Sequence, residues 1–348
     1  MMLKVSERPR IKNKDLRYAR PAGGSSYSNL YCGDNNVIQA IKRSDSANNS
    51  RSYGLEIELP IDHRKVTSSV LSALNALPIG RKSDGSIGDG VEFVFPPLSE
   101  RQIIRGETYK AFFSAYQHVA GGPVYHSHGM HIHVSAAVME ASAVVAAHAT
   151  VLHNADLFRW LAGRVWWDSC PTRGHLTHAF SALRQRDVVG YNDIGTVEFR
   201  IFDTAWSMPC VAASLDVVKA VVGFSRSARS RGVIKRILKR EGLKRPDLFS
   251  VDPTAELDAP LASFHPHSTA RLYHYCELMS PPTATISKVE LEAMARGFAR
   301  YVLQRGAKYP ALAHAVEQFT RAPESYRAQY KGERSYRSIY KEFTERSS

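Results

Sequence analysis

The sequence predicts an α+β fold: a curved antiparallel sheet carrying polar side chains, with helices packed on its outer face. Three observations predict it. Four short apolar segments carry charge or imidazole at alternate positions or at a single point: Leu55-Glu56-Ile57-Glu58-Leu59, Val91-Glu92-Phe93-Val94, His131-Ile132-His133-Val134 and Val197-Glu198-Phe199-Arg200-Ile201. Alternate side chains of a strand share a face, so a period of two reads as strand. Longer segments between them space their apolar residues as a helix does. Lastly, residues 188–191, the turn Asn192-Asp193-Ile194-Gly195 and residues 196–202 read as a hairpin.

The elements follow in order. Residues 51–60 form the first strand. Residues 65–77 form a short amphipathic helix with Val66, Val70, Leu71, Leu74 and Leu77 on one side, ended by Pro78. Residues 82–87 read as a turn-rich lead into the strand 91–95, which Pro96-Pro97 terminates. Residues 99–119 read as one helix carrying Phe112, Phe113 and Tyr116, broken by Gly121-Gly122-Pro123. The histidine strand spans about 124–136 and holds His126, His128, His131 and His133. Residues 140–161 form a long helix whose apolar stripe is Met139, Val144, Ala147, Val151, Ala155 and Phe158. A polar loop from Arg164 to His175 and a short helix over 175–186 precede the hairpin, and a helix over 209–227 follows it. Residues 289–303 and 311–321 read as helices, and the tail repeats Tyr326-Arg327 and Tyr336-Arg337.

Composition bounds the rest. The chain has 348 residues, 44% of them hydrophobic, which suits a globular protein with a large core or two modest ones. No apolar run approaches the roughly 18–20 residues of a membrane span. The basic N-terminus lacks an apolar centre, so no signal peptide is expected. Cys32, Cys170, Cys210 and Cys276 are far apart, which reads as reduced cysteine of a cytoplasmic protein. Forty-six basic against 33 acidic residues leave a net charge of +13. This admits nucleic acid, nucleotide phosphate or an acidic protein as partner. Charge divides the chain: a basic arm over 1–50, the motif-bearing region 51–227, and a basic helical extension over 228–348. In residues 226–245 nine basic residues meet one acidic residue, Glu241.

The strand motifs suggest a site. Glu56 and Glu58 on one face stand about 6.5–7 Å apart along a strand. That separation suits neighbouring ions held about 3.5–4 Å apart. Carboxylates suit Mg²⁺ or Mn²⁺, and an imidazole fits Mn²⁺ well. His131 and His133, at i and i+2, point the same way. Arg200 shares a face with Glu198, where a guanidinium can stabilise a transferring phosphoryl group. Taken singly, each Glu fits a solvated strand face, Glu198 with Arg200 a surface or cross-strand ion pair, and His131 with His133 a structural or surface pair, with zinc binding the sharper rival. Their joint occurrence on four strands points to phosphoryl transfer from a metal-bound nucleotide.

The order of five motifs resembles the amidoligase family, within the superfamily of glutamine synthetase and glutamate–cysteine ligase. They are Tyr53-Gly54-Leu55-Glu56-Ile57-Glu58, Asp84-Gly85-Ser86, Gly90-Val91-Glu92-Phe93-Val94, Gly129-Met130-His131-Ile132-His133-Val134 and Thr196-Val197-Glu198-Phe199-Arg200-Ile201-Phe202. The resemblance covers about 51–227, roughly half the chain. It implies a glutamine synthetase-like catalytic sheet and an ATP-dependent carboxylate–amine ligase. Glu56, Glu58, Glu92, His131 and Glu198 would hold Mg²⁺ or Mn²⁺, with Asp84 or Asp203 as a further carboxylate. His133 would face nucleotide phosphate or substrate, and Arg200 the transferring phosphoryl group. Asp84 and Lys82 would sit near substrate or phosphate, and Arg164, Arg173 and Arg186 are further candidates for anion contacts. The substrates would be a small-molecule or peptide amine and carboxylate, with an acidic macromolecule admitted by the N-terminal arm and residues 226–245. Two rival readings stand beside it: a nucleic-acid-binding protein on an inactive ligase scaffold, and a metal-dependent hydrolase using His131 and His133.

Overall fold

The computed structural model describes residues 52–82, 90–120, 129–135, 139–154, 157, 189–191, 196–205, 208–244, 257–258, 275–276 and 287–321. The strands are β1 (Ser52–Pro60), β2 (Gly80–Lys82), β3 (Gly90–Val94), β4 (Leu98–Ser99), β5 (Gly129–Ser135), β6 (Val189–Tyr191) and β7 (Thr196–Asp203). The helices are α1 (Ser68–Asn75), α2 (Glu100–Arg105), α3 (Glu107–Gln117), α4 (Ala141–His153), α5 (Met208–Ser225), α6 (Ala228–Lys244), α7 (Lys288–Leu303) and α8 (Pro310–Arg321). The strands form an open antiparallel sheet in the order β2-β3-β1-β5-β7-β6, with β4 also on β1. The fold is therefore α+β. Two compact units divide within β5: Met1–Ile132 with Thr204–Met208, and His133–Asp203 with Pro209–Ser348.

In the first unit, alternation on β1 and β3 sorts side chains onto two faces. Leu55, Ile57, Leu59, Val91 and Phe93 form the apolar face, each at most 1% exposed. Aromatic side chains of α3 pack there: Phe112 lies edge-on to Phe93 at 4.8 Å, and Tyr109 stacks on Phe95 at 4.3 Å. Tyr116 donates from its hydroxyl to the Pro60 carbonyl at 3.1 Å, and burial pushes its phenol up to about 12, so it stays a donor. The helix expected over 99–119 is broken in two. Gly106 adopts extended backbone (φ −77°, ψ 157°), closing α2 and opening α3. A Cβ there would lie 2.1 Å from the Gln102 carbonyl oxygen, so only glycine lets the chain turn this closely. Ser99 and Gln102 form a reciprocal cap at the start of α2. The helix expected over 65–77 is shorter, because Thr67 caps it by accepting from the Val70 amide. Strands β2 and β4 add to the expected set: Gly80-Arg81-Lys82 pairs with β3 although its side chains carry no apolar signal.

In the second unit α4 is buried at every residue from Ala141 to Val151. The expected stripe residues Met139, Val144, Ala147 and Val151 are buried, and so are the residues between Ala141 and Val151 on the other sides. Helix α4 packs on β6 and against α6 and α7, so all its sides need small or apolar residues. His148 fits because its Nδ1 lies 3.3 Å from the Val189 carbonyl. Helix α5 meets α7 through Phe224, 5.6 Å from both Phe298 and Tyr301. Gly223 allows that approach, since a Cβ there would lie 2.5 Å from the Tyr301 hydroxyl. Among the described residues no helix is long and apolar enough to cross a membrane.

Candidate metal centre

The polar face of β1 and β3 belongs to the first unit, and it is as buried as the apolar one. Glu56 is 5% exposed, Glu58 3%, Glu92 1% and His131 4%. Register explains the convergence. Glu58 pairs with Glu92 across β1 and β3, and Lys82 pairs with Glu92 across β2 and β3. One row across three strands is therefore Lys82, Glu92, Glu58, with Glu56 two residues along β1 on the same face.

The His131 ring lies between two carboxylates, Nδ1 3.5 Å from Glu56 Oε2 and Nε2 4.0 Å from Glu58 Oε1. Glu58 is oriented from outside the cluster. Its Oε2 accepts from the Gly129 amide at 2.5 Å, and Thr204 Oγ1 donates to its backbone carbonyl. Lys82 Nζ stands 2.9 Å from Glu92 Oε1, and is the ammonium partner of this row. Burial above all, then the charge on Glu56, hold the Glu92 carboxyl well above the usual carboxylate range despite Lys82. Removing three carboxylates from water together is costly unless positive charge compensates them. Oxygen-rich donors with one imidazole fit Mg²⁺ or Mn²⁺ better than a thiolate- or imidazole-rich set would.

The second unit carries the remaining described candidates. Glu198 and Arg200 share a face of β7, and Arg200 Nη1 donates to Glu198 Oε1 at 3.1 Å. His133 is buried, with its Nδ1 2.9 Å from Thr196 Oγ1. The two histidines of β5 thus have different neighbours: carboxylates for His131, a hydroxyl for His133. Asp203 ends β7. Asp84, Arg164, Arg173 and Arg186 lie outside the described residues.

Gly129, Thr196 and Thr204 orient site residues; the first two lie within the motifs without a role read for them there, and Thr204 lies outside the motifs. Thr196 was within reach, because it stands two residues before Glu198 and shares its face. Nothing local in the sequence links Thr204 to Glu58, 146 positions away. Compared with known proteins, the chain matches no family model and no curated protein.

Proposed function

We propose that the protein is an ATP-dependent carboxylate–amine ligase, forming an amide or isopeptide bond through an acyl phosphate. The observation that carries this reading is the convergence of Glu56, Glu58, Glu92 and His131 on one buried sheet face. A purely structural site has no physical reason to gather three carboxylates and an imidazole out of water on one sheet face. The five-motif resemblance supports the reading and supplies the reaction class.

In this reading Glu56, Glu58, Glu92 and His131 hold Mg²⁺ or Mn²⁺ together with Glu198, the fifth ligand that the resemblance implies. When bound, such ions neutralise charge on the nucleotide phosphates and orient them for in-line transfer. Lys82 and the Gly129 amide hold Glu92 and Glu58 in place. Thr196 engages Nδ1 of His133, so contact with phosphate or substrate falls to Nε2. Arg200 stabilises charge on the phosphoryl group in flight. The γ-phosphoryl group passes to a substrate carboxylate oxygen and ADP leaves. The amine lone pair then attacks the acyl carbon, phosphate departs with its bonding electron pair, and the ammonium proton is lost to a base.

The test is ADP release from ATP that requires Mg²⁺, an added carboxylate and an added amine, with the amide identified by mass spectrometry. Glu56→Ala and Glu198→Ala should each abolish it. Full turnover in both variants overturns the site assignment. ATP-independent turnover by a zinc-loaded protein would select the hydrolase reading instead.

A further inference from the structure

The basic segment that the ligase reading leaves unused becomes informative once its ion pairs are known. Helix α6 is rich in cations, and those whose side chains are described fall into two sets. Arg231 stands 3.3 Å from Glu140, Lys235 pairs with Asp258, and Arg240 makes two bonds to Glu290 at 3.0 and 3.2 Å. Those three are neutralised within the protein. Arg229, Arg236 and Lys239 are exposed and have no acidic partner among the described residues, and the same holds for Arg226 in the preceding turn. Spacings of seven and three residues put Arg229, Arg236 and Lys239 on one side of the helix. At about 1.5 Å per residue the stripe runs about 15 Å, enough to cross a major groove about 12 Å wide.

Gly232 lies between Arg229 and Arg236 on the same side. A Cβ there would meet nothing within 4 Å, so no packing neighbour demands glycine. Glycine weakens a helix interior, and what it provides here is bare backbone between cations. Of the apolar residues described on α6, Ile234, Ile237 and Leu238 are fully buried and Val233 is half-buried. Among the described residues one half-buried valine is too little to insert into a lipid surface, or to form the large apolar or aromatic centre that anchors a protein partner. The stripe also lacks, among the described residues, an aromatic ring on which an unpaired base could stack. What remains is a row of mostly arginine donors suited to phosphodiester oxygens.

We infer that the exposed stripe Arg226, Arg229, Arg236 and Lys239 binds the backbone of a nucleic-acid duplex, without reading its sequence. Binding of this kind is driven by release of condensed counterions, so its strength falls steeply with salt.

The experiment is fluorescence anisotropy of the full-length protein with a 20-base-pair DNA duplex, the matching RNA duplex and the single strand, between 50 and 200 mM salt, in EDTA. EDTA removes any contribution of the metal centre, so the result is independent of the ligase reading. The R229Q/R236Q variant should lose roughly tenfold or more of the duplex affinity at 50 mM salt, and its salt slope should shrink by about 2. The variant R101Q/R105Q removes the same charge from exposed positions on α2 and should retain affinity and slope within about twofold. The DNA and RNA arms tell which duplex is preferred. Equal losses in the two variants would reduce the effect to net charge and overturn the assignment. So would unchanged binding in R229Q/R236Q, no duplex binding by the unmodified protein, or tighter binding of the single strand.

Discussion

The two faces of β1 and β3 have nearly the same burial and opposite chemistry. One presents Leu55, Ile57, Leu59, Val91 and Phe93 to the aromatic residues of α3; the other presents Glu56, Glu58 and Glu92 beside His131. Burial on the first face stabilises the fold, since each large apolar side chain removed from water contributes about 1.5–3 kcal/mol. Burial on the second works against the fold, because each carboxylate loses its hydration and faces another of like sign. An antiparallel sheet with an apolar and a polar face is ordinary when the polar face meets water. Here it does not, and that difference separates a site from a surface.

The sharpest way to break the comparison is to damage the first face. Phe112 touches Phe93, Phe95, Phe113 and Tyr116 and is fully buried. Phe112→Ala should cost about 3–5 kcal/mol of stability, measured by urea denaturation. A loss below about 1 kcal/mol would mean that α3 is not the cover of this face.

The next effect comes from the second face and has the opposite sign. In the protein without metal, Glu92 is held above its ordinary value of 4.5 by burial and by Glu56, with Lys82 opposing. A raised carboxyl pKa means that the folded state binds the proton more tightly than the unfolded chain does. Stability is therefore fully present below about pH 4.5 and declines as pH rises toward the folded value, by up to about 1.4 kcal/mol per pH unit for one proton. Melting temperatures in EDTA should fall between pH 5 and 8. Mn²⁺ should raise them more at pH 8, where Glu92 is closer to ionised. A metal-free melting temperature that climbs over this range would contradict a strained acidic cluster.

Much of this contrast was legible in the sequence and some was not. Period-two alternation reported β1, β3, β5 and β7, because a strand with two distinct faces must alternate. It could not report whether the polar face was wet: Glu56 and Glu58 read the same on a solvated strand as in a buried cluster. Register decided that, and register depends on pairing partners far away in the chain. Strand β2 was illegible because Gly80, Arg81 and Lys82 carry no apolar pattern, though Lys82 then pairs with Glu92. Helix α4 misled in the other way. Its Ala- and Val-rich sequence contains a stripe, but a helix buried on all sides has no preferred face, so the stripe was real and uninformative. On α6 the sequence showed the charge, and only the ion pairs to Glu140, Asp258 and Glu290 separated neutralised residues from available ones.

The smallest effect tests the second face most directly. After burial, the charge on Glu56 does most to raise Glu92, and Glu56 stands 3.5 Å from His131. Glu56→Gln keeps the shape, removes one buried negative charge, and offers Glu92 an amide donor in place of a like charge. At pH 8 in EDTA the variant should gain about 1 kcal/mol, equivalent to a rise of about 2–4 °C in melting temperature for a unit of this size. Its stability should also vary less with pH, since Glu92 then titrates nearer its ordinary value. The stabilising effect of Mn²⁺ should fall at the same time, because a ligand has been lost. A side chain retained for packing or hydrogen bonding would behave otherwise: Glu56→Gln would leave the metal response intact and lower the melting temperature. A gain in stability together with a loss of metal response is the pairing expected of a residue held at the fold's expense for the ion it binds.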